Sequence, residues 1–149
     1  MEPATEHQHA QRPAGDDASG RPAHAARATR ATLLRVLVAL SVAVSAVVHL
    51  VLWQDGMRDV DVVGPGFLVN GIGGIALAVA VVAWRHPLPL LGAIAFGAAT
   101  LGAYAMSMTV GFFGVREQVW SPEAVVSAVT EVAAIVLGVA ALVVERRRA

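Results

Sequence analysis

Cysteine is missing from this chain, and so is lysine: all eleven basic residues are arginines. Without thiols there is no disulfide, no thiol–disulfide exchange and no thiolate metal site. Without lysine there is no retinal-type Schiff base, no lysine nucleophile and no phosphate loop ending in Gly-Lys-Ser/Thr. Charge of either sign is scarce. Asp, Glu and Arg make up 15% of the 149 residues, against about 25% in an ordinary soluble domain. The formal net charge is zero, so nothing pulls the whole molecule toward nucleic acid.

What remains is apolar: 56% of the residues are hydrophobic, and the charges gather in the first thirty positions and between apolar runs. That distribution is the compositional mark of a membrane protein. Its Ala, Val, Arg and Gly bias is that of a high-GC bacterial genome.

Residues 1–30 have no apolar periodicity and read as a disordered arm. His7, His9 and His24 lie there and read as solvated side chains, because no further metal ligands are placed nearby. The remainder, 31–149, reads as one transmembrane domain with spans at about 32–53, 66–84, 88–113 and 123–144. Each is close to or above the roughly 20 helical residues that cross the hydrocarbon core. The first run exceeds the 7–15 apolar residues of a signal peptide. It ends His49-Leu50-Val51-Leu52-Trp53 rather than at a small-residue cleavage site, so it reads as a span. Ser121-Pro122-Glu123 supplies an N-cap, a first-turn proline and a first-turn acid for the last helix.

With four spans, Arg12, Arg21, Arg27, Arg30, Arg35, Arg85, Arg146, Arg147 and Arg148 fall on one side of the bilayer. Only Arg58 and Arg116 fall on the other, among Asp55, Asp59, Asp61, Glu117 and Glu123. The excess of arginine marks the cytoplasmic face, which puts both termini in the cytoplasm of a bacterium and the chain in its plasma membrane. Trp53, Trp84 and Trp120 land at the interfaces, where an aromatic belt belongs. The expected fold is all-α: an antiparallel bundle of four transmembrane helices with short loops, preceded by the disordered arm.

Helices in lipid associate through small residues and polar contacts. The interior faces are therefore expected to carry Gly66, Asn70, Gly74 and Ala78 on helix two. Ala95, Ala99 and Ala103 are expected to do so on helix three, and Glu131, Ala134, Gly138 and Ala141 on helix four. Gly71-Ile72-Gly73-Gly74-Ile75-Ala76 fits a dinucleotide fingerprint in letters only. It follows no strand and no acid occurs between Asp61 and Glu117, so it is read as helix packing.

One polar cluster stands out. Ser41, Ser45 and His49 recur every four residues on helix one, and Glu123, Ser127 and Glu131 do so on helix four. Thr100, Tyr104 and Ser107 share a face of helix three, and Asn70 lies near the outer end of helix two. Helix side chains lean toward their own N-terminus, so His49 and Glu131 converge from opposite directions. The expected site is His49, Asn70, Tyr104 and Glu131, with Ser45 and Ser127 beside them. An ionised carboxylate in hydrocarbon costs about 2.5–3.5 kcal/mol on insertion scales. Glu131 must therefore be protonated, paired with His49 or wetted. Intramembrane groups of this kind are found where protons or cations move.

The same positions exclude other chemistry. His49 and His86 lie at opposite faces and cannot bracket a haem. One histidine and one carboxylate fall short of the three or four ligands zinc takes, so neither metal nor cofactor is expected. No complete catalytic set is visible, and the loops are too short for an aqueous active site on lipid. Proton- or cation-linked transport is the leading expectation. A non-catalytic accessory or scaffold subunit, with the cluster as a hydrogen-bonded latch, is the alternative. The lipid bilayer is one partner, and a second copy or another membrane protein is the other.

Three segments and a residue also carry a resemblance: His49–Trp53, Gly64-Pro65-Gly66-Phe67-Leu68-Val69-Asn70, Val110-Gly111-Phe112-Phe113-Gly114-Val115-Arg116-Glu117, and Glu131. On these the membrane portion resembles a group of small, uncharacterised four-helix integral membrane proteins of actinobacteria. The resemblance implies the four-span topology and no activity.

Overall fold

Alanine and arginine are strong helix formers, and they take the first helix well below the apolar run. In the computed structural model, which describes residues 20–116 and 121–147, α1 spans Gly20–Gln54. It thus begins about twelve residues before the expected Thr32, with Pro22 in the first turn, where a missing N–H costs nothing. Residues 1–19 lie outside the described residues, with His7 and His9 among them. So do 117–120, including Trp120.

A short 3₁₀ turn at Met57–Asp59 leads into α2, Val63–Ala83. Three residues later α3 runs Pro87–Thr109, and α4 runs Pro122–Arg146. All four α-helices are long and apolar enough to cross a membrane, and no strand occurs among the described residues.

The ends have identifiable causes. His86 caps α3, its Nδ1 accepting from the Leu88 N–H at 3.2 Å. The Ser121 hydroxyl caps α4, accepting from the Ala124 N–H at 3.1 Å. The third helix stops at Thr109, four residues short of the expected Phe113. There Gly111, at φ +90°, donates its N–H back to Met106 O at 2.8 Å, a left-handed stop. Phe112 and Val115 then exchange both backbone hydrogen bonds, at 2.8 and 2.9 Å, around Phe113 and Gly114. Both central residues have positive φ, +44° and +86°, which is the tight hairpin turn.

Small residues set the helix contacts. Gly74 lies against Ala46 and Phe96, and Gly71 against Leu50 and the Ala46 carbonyl. The Gly71–Ala76 run is thus helix packing in α2. Gly138 receives Ile94 of α3, and a methyl on Gly97 would stand 2.8 Å from the Glu131 carbonyl. On α4 the expected face is the buried one: Ser127, Glu131, Ala134, Gly138 and Ala141. On α3 it is not. Ala95 and Ala99 are exposed, and the contact runs along Leu90, Ala93 and Gly97. Backbone approach decides between the two stripes, and Gly97 permits it where the alanines do not. On α2 the buried stripe is Gly71, Gly74, Ala78 and Val81, with Gly66 exposed and Asn70 half-buried.

An apolar plug of Val38, Val42, Ala78, Val81, Leu90 and Ala93, closed by Ala134 and Ala141, fills the middle of the bundle. It divides two polar centres, one at each end.

Candidate functional site

Glu131 is 1% exposed, two turns along α4 from Glu123. Ser127, one turn earlier on the same face, donates to its Oε1 at 2.7 Å, and Ser45 of α1 donates to the same oxygen at 3.0 Å. The two hydroxyl oxygens stand 3.5 Å apart. Both of these hydrogen bonds fall on Oε1. The packing that brings α4 against α3 at Gly97 places the group deep in the bundle rather than on its surface.

His49 lies one turn beyond Ser45 and is 7% exposed. It makes no ion pair with Glu131 among the described residues; of the three states open to the carboxyl, direct pairing with His49 is not the one seen, and Ser45 connects the two. The His49 Nδ1 is 2.8 Å from the Ser45 carbonyl. A carbonyl only accepts, so Nδ1 carries a hydrogen, and in the neutral ring Nε2 is an acceptor. The ring packs against Phe67, centroids 5.1 Å apart. Ser45 thus holds Glu131 by its side chain and His49 by its backbone.

A cavity of about 350 Å³ joins this centre to the end of the bundle that carries the first and third connections. Glu131, Ser127 and His49 line it, Tyr104 and Ser107 form part of the α3 wall, and Ser121 and the exposed Glu123 stand at the other end. The i, i+4, i+8 path of Glu123, Ser127 and Glu131 is therefore one wall of a single space. Phe112, projected by the tight turn after α3, also lines it. Its role was legible only as two glycines three residues apart, Gly111 and Gly114.

Asn70 is not part of this arrangement. It is half-buried, donates a long 3.4 Å hydrogen bond to Thr100, and lines a second cavity of about 380 Å³ between α2 and α3. Ser41 returns its hydroxyl to the Leu37 carbonyl at 2.9 Å and takes no part either.

The second polar centre was not anticipated as such. Arg35 is 4% exposed and uses all five guanidinium N–H donors. Nε and one terminal nitrogen grip the Glu145 carboxylate at 2.6 and 2.9 Å. The remaining bonds go to the carbonyls of Val81, Trp84 and His86, each at 2.9 Å. Carbonyls at a helix C-terminus have no intrahelical partner and carry the negative end of its dipole, so the guanidinium completes α2 as well as pairing α4. The sequence signal was a lone arginine five residues inside an apolar run, and a glutamate at the matching end of helix four. Trp84 stacks on His86 beside it, at 5.1 Å.

No group of three or more His, Cys, Asp or Glu with metal-binding geometry occurs among the described residues. Comparison with protein-family models, with curated proteins and with solved structures finds no match to this chain.

Proposed function

We propose that this chain is a four-pass integral protein of a bacterial plasma membrane, with both termini cytoplasmic. In this reading it is an antiparallel bundle that moves protons or cations by way of Glu131. The contacts of α1 support the helix directions: Ser45 meets Ser127 and Glu131 while Arg35 meets Glu145, so numbering rises along one helix as it falls along the other. The arginine distribution supports the orientation.

The observation that carries the transport reading is the placement of Glu131. A carboxyl 1% exposed, lining a cavity that extends toward one end of the bundle, is a costly way to hold helices together. A serine or glutamine would make similar hydrogen bonds without a titratable group in hydrocarbon. The apolar plug and the Arg35–Glu145 pair lie on the far side of it and separate the site from the other end of the bundle. A resemblance to small four-helix actinobacterial membrane proteins belongs to this proposal and adds no activity.

The accessory-subunit reading draws on the same hydrogen bonds, with Ser45, Ser127 and Glu131 as a latch between α1 and α4. Proteoliposomes holding a pH-sensitive dye separate the two. Under an imposed potassium diffusion potential, the full chain is expected to pass protons, or Na⁺ or K⁺ against protons. Glu131→Gln should lower that flux about tenfold while thermal unfolding of the bundle stays near that of the parent. Equal flux from the parent, Glu131→Gln and empty liposomes rejects transport and leaves the latch.

A further inference from the structure

We infer that the ligand of this site is an amphipathic organic cation that reaches Glu131 sideways, from the bilayer, through the gap between α2 and α3. The inference rests on the reading of the Glu131 cavity as a binding site and names the chemistry it accepts.

The sign of the ligand follows from the walls. Glu123 and Glu131 line the first cavity, and among the described residues no arginine does. His49 in its neutral form presents Nε2 as an acceptor. The rings of Phe67, Tyr104 and Phe112 offer faces on which a cation is stabilised. A divalent ion such as Ca²⁺ or Mg²⁺ is poorly served, because it takes six or more oxygen ligands. The described residues assemble no cluster of three or more acids or histidines. A cation that spreads its charge over carbon groups asks only for one carboxylate and an apolar, aromatic surround. The volume, about 350 Å³, is at the lower end of the roughly 300–1,000 Å³ of small-molecule pockets.

The route follows from the second cavity. It adjoins the first across His49, Phe67, Thr100 and Phe112, which line both. Its far lip is formed by residues on the outer surface of the bundle: Gly66, Val69 at 71% exposure, Ala99 and Phe113 at 64%. In a four-span protein that surface faces acyl chains. Beside the Trp84–His86 hairpin α2 and α3 are in close contact, at Leu77 with Gly92 and Gly74 with Phe96. Further along, the 3.4 Å bond from Asn70 to Thr100 is the sole side-chain hydrogen bond between them among the described residues. The cavity lies at and beyond that bond, lined by Gly66, Phe67, Ala99 and Ala103 as well as by Asn70 and Thr100. A ligand with a charged head and an apolar tail fits both spaces at once, the head toward Glu131 and the tail between α2 and α3.

The test uses the full chain in phosphatidylcholine nanodiscs, with decyltrimethylammonium and tetramethylammonium as probes and uptake by empty nanodiscs subtracted. The long-chain probe is expected to bind about tenfold or more tightly than the short one, and Glu131→Gln to weaken it about tenfold. Glu131→Asp, which keeps the charge, should retain binding and guards against loss of fold in the amide variant. Ala99→Phe, on the exposed lip, should weaken or slow the long-chain probe about fivefold and leave tetramethylammonium unchanged. Equal affinity for the two probes, or no effect of Ala99→Phe, overturns the lateral amphipathic ligand. Proton flux that still depends on Glu131 would then leave the transport reading standing. If Glu131→Gln alters neither probe binding nor proton flux, both fall together.

Discussion

Arg35 and Glu145, 110 positions apart in the chain, are joined by two parallel hydrogen bonds of 2.6 and 2.9 Å. The pair ties the first helix to the last at the end of the bundle opposite the Glu131 cavity. Because the same guanidinium holds three carbonyls around the end of α2, it gathers three helices and the α2–α3 hairpin onto one side chain. Removing one partner of a buried pair leaves the other uncompensated, at a cost of about 3–5 kcal/mol. Glu145→Ala is expected to lower stability by about 3 kcal/mol, near the bottom of that range because Glu145 is partly exposed. The charge-swapped double variant Arg35→Glu/Glu145→Arg should not restore it, since a carboxylate at position 35 faces three carbonyls. Unfolding in mild detergent checks this, and full recovery in the swap would show that the carbonyl bonds contribute little.

The two hydroxyls on Glu131 share one acceptor oxygen and stand close to each other, so their contributions cannot be independent. Ser45→Ala and Ser127→Ala should each destabilise by about 1 kcal/mol, and the double variant should depart from additivity by about 0.5 kcal/mol or more. A double-mutant cycle on thermal unfolding measures the coupling; strict additivity would mean that the hydroxyls act separately.

At Gly97 α3 lies close against the backbone of α4. A methyl there would stand 2.8 Å from the Glu131 carbonyl, whereas a methyl on Gly102 would meet nothing within 4 Å. Gly97→Ala is expected to cost about 1–3 kcal/mol through overpacking and to disturb Glu131, while Gly102→Ala should be neutral or slightly favourable. Equal stability of the two variants would place the α3–α4 contact elsewhere.

The bond from His49 to the Ser45 carbonyl dictates a tautomer. In the neutral ring the hydrogen should reside on Nδ1, which nitrogen-15 NMR of labelled protein in nanodiscs distinguishes directly. A neutral ring protonated on Nε2 would contradict the bond and, with it, the acceptor presented to the cavity.

Asn70 stands outside the buried cluster, half-exposed on a long hydrogen bond. Asn70→Val should therefore cost only about 0.6 kcal/mol, the average for interhelical hydrogen bonds in a membrane bundle. It should also leave Glu131-dependent flux intact; loss of flux would return Asn70 to the site.

Much of this architecture is written in local chemistry. Runs of apolar residues, broken at Gln54–Asp61, Arg85–Pro87 and Arg116–Pro122, delimit four helices whatever surrounds them, because length and hydropathy are properties of each segment alone. Ser121 caps its helix through a bond three residues long, and Glu123, Ser127 and Glu131 share a face by helical periodicity alone. Elsewhere local signals competed. The arm residues from Gly20 to Arg30 lack apolar periodicity yet have the propensity to extend α1. The pair Gly111 and Gly114 ended α3 early, inside a run still apolar enough to continue. Which stripe of α3 would turn inward could not be read at all, since Ala95, Ala99 and Ala103 are as small and as regularly spaced as a contact face should be. Only packing against α4 chose Gly97 instead, because the allowed approach of two backbones depends on both helices. Likewise Arg35 and Glu145 are two isolated charges in the chain and one ion pair in the fold. A bidentate contact is a relation between distant segments, and it exists only once the bundle has brought them together.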